Sequence, residues 1–410
     1  MKWEEKTLDM LGEISRGKSK HRPRNDSILF GGPYPFIQTA DVKKANLYIT
    51  EYDQTYSEIG LAQSKLWNEG TLCITIAANI ADTAILGMKA CFPDSIMGFV
   101  PYEGVSDAKF VKYMFDILQK ECKNISQGTA QDNLSWEKLS TIKFRVPDYD
   151  TQIRIVKFLA TYDDLIENNQ KQIKLLEEAA QRLYKEWFVD LRFPGHENVK
   201  IADGIPEGWE NTNLGSIDCC MESGSRPKGG INKNCDSNSI PSIGAENVIG
   251  LGKYNFSSDK YITKEFFAKM RRGILKNKDI LIYKDGAYIG RTTLFQDDFP
   301  HKQAAVNEHV FLLHATDESL QYYLFFTLYQ QEYFQKMQSL NKNAAQPGLN
   351  QNAVFSLDFV LPNKVVINQF NSVIEPIMSK LFIKAKQIKL VQEARDRLLN
   401  KLMSGELEVE

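Results

Sequence analysis

Residues 171–183 read KQIKLLEEAAQRL, and residues 386–398 read KQIKLVQEARDRL. The second stretch begins 215 residues after the first, a distance far longer than the repeat period of solenoid proteins. A repeat on this scale is typical of two copies of a whole domain, each with its own helix. We therefore predict a tandem duplication whose two copies present similar surfaces to one extended partner.

Each copy ends in a long run of apolar residues that step by alternating four and three positions, the pattern of a coiled-coil seam. The first seam comprises Ile155, Leu159, Tyr162, Ile166, Asn169, Ile173, Leu176 and Leu183, and the second comprises Ile377, Leu381, Ile388, Val391 and Leu398. Asn169 is the kind of polar seam residue that sets helix register. Asp150 or Thr151 is predicted to cap the first helix, and the second is predicted to start or kink near Pro376.

These patterns predict a fold class of α/β (α+β) globular units in tandem, each followed by a long helix. The two helices are predicted to pair as an antiparallel coiled coil with a globular unit at each end. For either run taken alone, an amphipathic helix lying on its own domain is the plainer interpretation. The predicted boundaries are 1–149 for the first unit, 150–192 for the first helix, 193–208 for a linker, 209–363 for the second unit, 364–404 for the second helix and 405–410 for a tail.

The composition is typical of a globular protein with two domains, with 43% hydrophobic and 25% charged residues. The N-terminus has no apolar signal region and no stretch is long and apolar enough for a membrane span, so we expect a cytoplasmic protein with no membrane partner. The six cysteines lack zinc spacing, and we expect reduced thiols. The net charge of -2 does not decide whether the partner is a polyanion.

Residues Gly12–Ser19 match the phosphate-binding pattern GxxxxGK followed by Ser, which is typical of nucleotide-hydrolysing enzymes. A working phosphate loop follows a buried strand and opens a helix, whose N-terminal amides hold the phosphates. Here the preceding residues are polar, and the following residues 20–26 contain a proline and poor helix formers. The context therefore disfavours a nucleotide site, although the enzyme remains an alternative.

The same segment carries a cation at every second position, namely Arg16, Lys18, Lys20, Arg22 and Arg24. Alternate side chains share one face of an extended backbone, so these five would line one edge and suit a DNA phosphate backbone. A solvated basic loop is the competing interpretation. In the second copy the counterpart is sparser and consists of Arg226 and Lys228.

Reading bases requires amide, guanidinium, ammonium or hydroxyl groups that can reach base edges. The candidates with such groups are Gln38, Thr39, Asn79 and Thr83 in the first copy, and Asn247, Lys284 and Arg291 in the second. Any of them could instead be a turn or cap residue. Catalytic motifs are absent from the sequence, and its five histidines form no HxxxH or HExxH pattern, so we predict neither a catalytic residue nor a metal.

Several stretches, ISRGKS at 14–19, PYPFIQTADV at 33–42, GLAQS at 60–64 and GTL at 70–72, together resemble the target recognition domains of specificity subunits from type I restriction-modification systems. The closing LLNKLMSGEL at 398–407 is similar to the end of such subunits. The likeness covers nearly the whole chain and is weaker over 214–362.

This resemblance implies a non-catalytic subunit that reads a bipartite, asymmetric target in double-stranded DNA. It implies two modification (methyltransferase) subunits and restriction subunits as partners. S-adenosylmethionine and ATP are then expected on those partners, with no cofactor on this chain. A fused or type II relative, a coiled-coil scaffold that binds only protein, and the nucleotide-hydrolysing enzyme stay open. The sequence does not define the DNA target, the spacer length or the methylated base.

Overall fold

The computed structural model describes residues 3–76, 82–125, 136–231, 235–236, 238–340 and 348–409. The chain divides into two compact units. Unit 1 contains residues 1–166 and 391–410, and unit 2 contains residues 167–390. Within the described ranges, no helix has an apolar stretch long enough to cross a membrane.

Unit 1 contains eleven strands and the first four helices, and the long helix α5 begins in it. The elements are β1 (Trp3–Lys6), β2 (Gly12–Arg16), β3 (Phe30–Phe36), α1 (Thr39–Lys44), β4 (Tyr48–Ile49), β5 (Gln54–Tyr56), α2 (Glu58–Ala62), β6 (Leu66–Trp67), β7 (Leu72–Thr75), β8 (Thr83–Leu86), β9 (Ala90–Cys91), β10 (Ile96–Pro101), α3 (Ala108–Ile125), α4 (Trp136–Thr141), β11 (Phe144–Pro147) and α5 (Tyr149–Tyr184).

The strands of unit 1 form three sheets. The order is β2-β10-β7-β8-β4 in the largest, β5-β3-β9-β6 in the second, and β1-β11 in a terminal ribbon. Fully buried apolar residues such as Leu72, Phe99 and Phe110 join the largest sheet to α3, which covers it. Burial of these large side chains supplies the main stabilisation of the unit.

The remaining described elements lie in unit 2, except that α10 ends in unit 1. They are β12 (Ile201–Ala202), β13 (Ile205–Pro206), β14 (Glu210–Asn213), β15 (Cys219–Ser223), β16 (Ser239–Ile243), β17 (Tyr261–Thr263), α6 (Lys264–Lys269), β18 (Ile280–Tyr283), β19 (Thr292–Leu294), β20 (Ala305–Val306), β21 (Val310–Ala315), α7 (Gln321–Tyr329), α8 (Gln331–Leu340), α9 (Gln351–Phe355), β22 (Asp358–Leu361) and α10 (Lys364–Ser404).

The sheets of unit 2 have the orders β15-β21-β18-β19, β17-β16-β20 and β14-β22, beside the small hairpin β12-β13. By position in the sheet, strands β15, β21, β18 and β19 of unit 2 correspond to strands β2, β10, β7 and β8 of unit 1. Strands β17, β16 and β20 likewise correspond to β5, β3 and β9. The same strand order therefore occurs twice. The predicted mixed α/β content and the predicted long C-terminal helix are confirmed.

The first long helix begins one residue earlier than predicted. Asp148 is its cap, because the Asp148 carboxylate accepts from the backbone N–H of Thr151 at 2.9 Å and from its hydroxyl at 3.0 Å. The predicted caps Asp150 and Thr151 were wrong, since both lie inside α5. The second helix begins at Lys364 and continues through Pro376, with Asn363 accepting from the backbone N–H of Val366 at 3.0 Å.

The predicted seam of α5 is largely buried. Ile155, Leu159, Ile166, Asn169 and Ile173 are at most 3% exposed, whereas Tyr162, Leu176 and Leu183 are half-buried. The seam of α10 lies about one residue further along than predicted. Its buried residues include Met378, Leu381, Phe382, Ala385, Leu399 and Leu402, while Ile377, Ile388, Val391 and Leu398 are half-buried.

Each unit contains segments of both long helices. In unit 1, Leu159 near the start of α5 shares an apolar core with Leu399 near the end of α10. In unit 2, Tyr184 at the end of α5 packs on Phe370 near the start of α10, with ring centroids 6.4 Å apart. The beginning of one helix thus meets the end of the other within each unit.

Candidate nucleic-acid interface

The basic segment of unit 1 extends strand β2 along β10. The backbone N–H of Gly17 donates to Ile96 O at 2.9 Å, and that of Lys18 donates to Phe92 O at 3.1 Å. Only glycine fits at position 17, where the two backbone segments lie this close, because a Cβ there would lie 2.3 Å from Phe92 O. The side chains alternate as predicted, with Arg16, Lys18 and Lys20 exposed and Gly17 buried between them.

The extended run ends after Lys20, where the chain turns. Gln63 Oε1 accepts from the backbone N–H groups of Lys20 and His21 at 2.6 and 3.0 Å. The guanidinium of Arg22 then folds back on Ser19 O at 2.7 Å, and that of Arg24 pairs with Asp94 at 2.8 Å. The predicted row of five cations is therefore divided. Among the described residues, the side chains of Arg16, Lys18 and Lys20 meet no hydrogen-bond or ion-pair partner, whereas those of Arg22 and Arg24 are engaged.

The same geometry bears on the phosphate-loop pattern. Gly12–Arg16 is a strand paired antiparallel with β10, and residues 20–26, which follow Ser19 directly, form no helix. A Cβ on Gly12 would lie 2.4 Å from Val100 O, so this glycine serves strand packing. Because the segment has no helix N-terminus to hold phosphates, its geometry speaks against the nucleotide-hydrolysing alternative.

A groove of about 770 Å³ opens beside the basic segment in unit 1. It brings together Arg24, Gln38 and Thr39, three of the residues predicted to contact DNA. The floor of this groove is aromatic, since Phe36 and Tyr56 stack there with ring centroids 4.0 Å apart. The groove therefore combines an apolar floor with a polar rim.

Gln54 completes this rim and was missed in the sequence. The amide Nε2 of Gln38 donates to Gln54 Oε1 at 2.6 Å, and both side chains are exposed. The backbone of Gln38 is held as well, because its N–H donates to Asp41 Oδ2 at 2.8 Å. Only the pairing of β3 with β5 brings Gln54 to this place. No local signal in the sequence marks it.

Two other predicted base readers of unit 1 do not join the groove. Thr83 lies in strand β8, paired with Ile74, and is 7% exposed, so its hydroxyl is not available to a base. Asn79 lies outside the described residues.

In unit 2, Asn247 has a structural role. It is 3% exposed, and its side chain accepts from the backbone N–H of Gly244 at 3.2 Å and donates to Ser258 Oγ at 2.7 Å. Such a buried and satisfied amide caps its own turn. The burial of Asn247 therefore contradicts our prediction that this residue contacts DNA.

Arg226 and Lys284 share a surface with acidic neighbours in unit 2. Arg226 pairs with Glu308 Oε1 at 2.6 Å, and Lys284 Nζ donates to Glu308 O at 3.2 Å. His309 Nδ1 lies 3.1 Å from Asp285 Oδ2. This surface is thus mixed in charge. Lys228 lies exposed in the loop that follows β15.

Arg291 stands at the end of the loop between β18 and β19. Its guanidinium carbon lies 3.9 Å from the ring centroid of Tyr288, which is 50% exposed. A stacked pair of this kind presents a flat cationic face to solvent. Arg291 is itself half-buried, and its predicted contact with DNA stays a prediction.

A second polar pair connects Glu246, which the sequence had offered as a candidate base reader, with Lys260, whose ammonium donates to Glu246 Oε1 and which was missed in the sequence. Burial acts to raise the pKa of Glu246, but the hydrogen bond and charge of Lys260, together with a backbone hydrogen bond, outweigh it, and the pKa lies below its ordinary value. Glu246 is therefore ionised at neutral pH. Over the described ranges, no group of three or more His, Cys, Asp or Glu side chains could hold a metal ion.

Comparison with known proteins shows similarity to one class of protein. A family model described as the type I restriction modification DNA specificity domain matches residues 1–178. The chain is 27% identical to the type I restriction enzyme MjaIX specificity subunit of Methanocaldococcus jannaschii, an alignment that covers 100% of this chain and 94% of that subunit. The MjaVIII specificity subunit of the same organism is 23% identical, and that alignment covers 83% of this chain and 80% of that subunit.

A solved structure agrees in fold. The type I restriction-modification system S subunit from M. genitalium superposes with a TM-score of 0.53 at 14% identity, covering 98% of this chain and 96% of that one. The chain is thus similar over nearly its whole length to specificity subunits of type I restriction enzymes, and its residues 1–178 match the family model. The names of these relatives agree with the prediction that the chain is not itself the enzyme.

Proposed function

We propose that this chain reads a bipartite, asymmetric DNA target, with one half-site contacted by each unit. The observation that carries the proposal is the polar groove of unit 1 beside the exposed Arg16, Lys18 and Lys20. These cations contact phosphates and position the protein, and the groove side chains contact bases. Arg291, Lys284 and Arg226 contribute the corresponding contacts in unit 2.

The two units act as tandem target recognition domains. The repeated strand order supports this, since a common scaffold allows each unit to present its own loops to a half-site. Helices α5 and α10 pair as an antiparallel coiled coil and set the spacing between half-sites. The contacts of Leu159 with the core around Leu399, and of Tyr184 with Phe370, support that orientation.

The partners of the chain are double-stranded DNA, two modification subunits and restriction subunits. S-adenosylmethionine binds the modification subunits and ATP binds the restriction subunits. Specificity and chemistry are thereby divided between chains, so this chain needs no cofactor of its own.

Genome-wide mapping of methylated adenines tests the proposal. A host that expresses this chain with its modification subunit is compared with a host that expresses the modification subunit alone. We expect a methylated motif with two half-sites and a fixed spacer only when this chain is present. Absence of any new motif, together with failure of the assembled subunits to bind duplex DNA, would favour a scaffold that binds only protein.

A further inference from the structure

Two polar side-chain pairs occupy matching places in the two units. In unit 1 the pair is Gln38 with Gln54, joined by a hydrogen bond of 2.6 Å. In unit 2 it is Glu246 with Lys260, joined by an ion pair. All four side chains are at least partly exposed, so each pair can meet a partner.

The first member of each pair belongs to the turn after the central strand of its smaller sheet. Gln38 caps α1, and its N–H donates to the side chain of Asp41, three residues later. Gly244 caps the turn Ala245–Asn247, and its N–H donates to the side chain of Asn247, also three residues later. These two turns are thus built alike.

The second member of each pair precedes a helix cap by three residues. Gln54 stands before Ser57, whose hydroxyl accepts from Gly60 N at 3.2 Å. Lys260 stands before Thr263, whose hydroxyl accepts from Phe266 N at 3.1 Å. The backbone frame that carries each pair is therefore the same, whereas the paired chemical groups differ.

In unit 2, the glycine at position 244 gives the Glu246 side chain the space that Gln38 fills in unit 1. A Cβ on Gly244 would lie 2.3 Å from Glu246 Oε2, so the absent side chain leaves room for the carboxylate. In unit 1, Gln38 occupies this place and the residue that corresponds to Glu246 is Ala40. A constant frame with exchangeable polar groups is what discrimination between two half-sites requires.

The chemistry of each pair fits a different base pair. Gln54 Oε1 has a second lone pair and its Nε2 has two hydrogens, so Gln54 can bond adenine N6 and N7 together. Gln38 has a further N–H for thymine O4. Lys260 can donate to guanine O6 or N7, and Glu246 can accept from cytosine N4.

We propose that these pairs are specificity-determining: Gln38 and Gln54 read an A·T pair in one half-site, and Glu246 and Lys260 read a G·C pair in the other. The inference rests on the proposed function and goes beyond it in naming the residues and bases. Within unit 1, Gln54 contacts the base and Gln38 also fixes its orientation.

A transfer of the pair tests this assignment. The full chain carrying Gln38→Gly, Ala40→Glu and Gln54→Lys is expressed with its modification subunit, and the methylated motif is mapped. We expect one A·T position of one half-site to become G·C, with the other half-site and the spacer unchanged. Gln54→Ala and Lys260→Ala should each relax a single position, reducing discrimination roughly 10- to 100-fold.

The outcomes separate this inference from the proposed function. A wild-type bipartite motif that neither Gln54→Ala nor Lys260→Ala alters would overturn the base assignment and leave the proposed function standing. A wild-type chain that directs no motif would overturn both. If the triple variant no longer recognises one half-site, the motifs of Gln54→Ala and Lys260→Ala decide whether the base assignment holds. Gln369→Ala, an exposed glutamine on α10, is the matched control and should keep the motif.

Discussion

Arg395 Nη1 lies 2.7 Å from Asp163 Oδ1, and this ion pair joins α10 to α5 within unit 1. The side chains of Arg395 and Asp163 are only 20% and 7% exposed, and the hydroxyl of Tyr113 donates to the second oxygen of Asp163. Burial opposes the charge, but the carboxylates of Asp163 and, less strongly, Asp396 together outweigh it and raise the pKa of Arg395. Three helices thus meet at one carboxylate.

Removing this carboxylate should destabilise unit 1. Asp163→Asn leaves the largely buried Arg395 guanidinium with Asp396 as its remaining counter-charge, and we expect a loss of up to about 3 kcal/mol in the free energy of unfolding. Chemical denaturation of the full chain measures the loss. Asp164→Asn changes the exposed neighbour and should have little effect. Equal stabilities of the two variants would show that the pair contributes nothing to stability.

Truncating a buried leucine of α5 should lower the free energy of unfolding more than truncating an exposed leucine of the same helix. Leu159 is 0% exposed, so Leu159→Ala should lower the free energy of unfolding by roughly 2–5 kcal/mol. Leu165 is 45% exposed, and Leu165→Ala should change it by less than about 0.5 kcal/mol. Thermal and chemical unfolding of both variants compare them. Similar losses at the two positions would contradict the burial of this seam.

The cap of α5 should make stability depend on pH. Hydrogen bonds from the backbone and the hydroxyl of Thr151 hold the pKa of Asp148 below its ordinary value. A lowered pKa in the folded state stabilises the protein above the pKa of the unfolded state, and this contribution is lost as the pH falls through the folded pKa. Asp148→Ala should therefore cost about 1 kcal/mol near neutral pH and less once the pH falls below the folded pKa of Asp148.

Asp148→Asn provides the control for this pH dependence. Asparagine also caps helices but does not titrate, so its difference from Asp148→Ala should stay constant with pH. Urea unfolding at several pH values gives the comparison. A cost of Asp148→Ala that does not decrease in acid would rule out the ionised cap.

Three exposed cations should set the salt dependence of DNA binding. Replacing Arg16, Lys18 and Lys20 with Ala should weaken binding to every duplex, and should reduce the slope of log affinity against log salt by about 0.9 for each phosphate that is no longer neutralised. Binding of the assembled chain and modification subunit is measured over a salt series. Alanine at the exposed helix residues Lys157, Lys185 and Lys380 is the control. A loss confined to one sequence would mean that the segment reads bases.

Longer helices should change the spacer and leave the half-sites unchanged. Four residues inserted after Ile166 and four after Leu390 add about 6 Å to each helix, so the preferred spacer should grow by about two base pairs. The methylated motif of this variant gives the spacer directly. The same four residues inserted at Gly204 in the linker should not alter it. An unchanged spacer in the helix variant would argue strongly against the helices as spacers.

Periodicity predicted the long helices well, because the contacts that define a helix lie within four residues along the chain. The register of α10 was displaced by about one residue, since Pro376 and the polar Lys384 left the seam less regular. The alternation of Arg16, Lys18 and Lys20 was also predictable from extended geometry. The partners of the Arg22 and Arg24 side chains were not predictable, because Ser19 O and Asp94 come within their reach only after the chain turns.

The sequence by itself determined the duplication, the two long helices and the resemblance to specificity subunits, since repeats and short-range patterns need no folded partner to be recognised. Tertiary structure alone decided which polar groups meet. Gln54 reaches Gln38 through the pairing of β3 with β5, and Lys260 reaches Glu246 through the pairing of β16 with β17. Burial likewise withdrew Thr83 and Asn247 from the surface. Residues far apart in sequence become neighbours only when sheet register and packing set their distance.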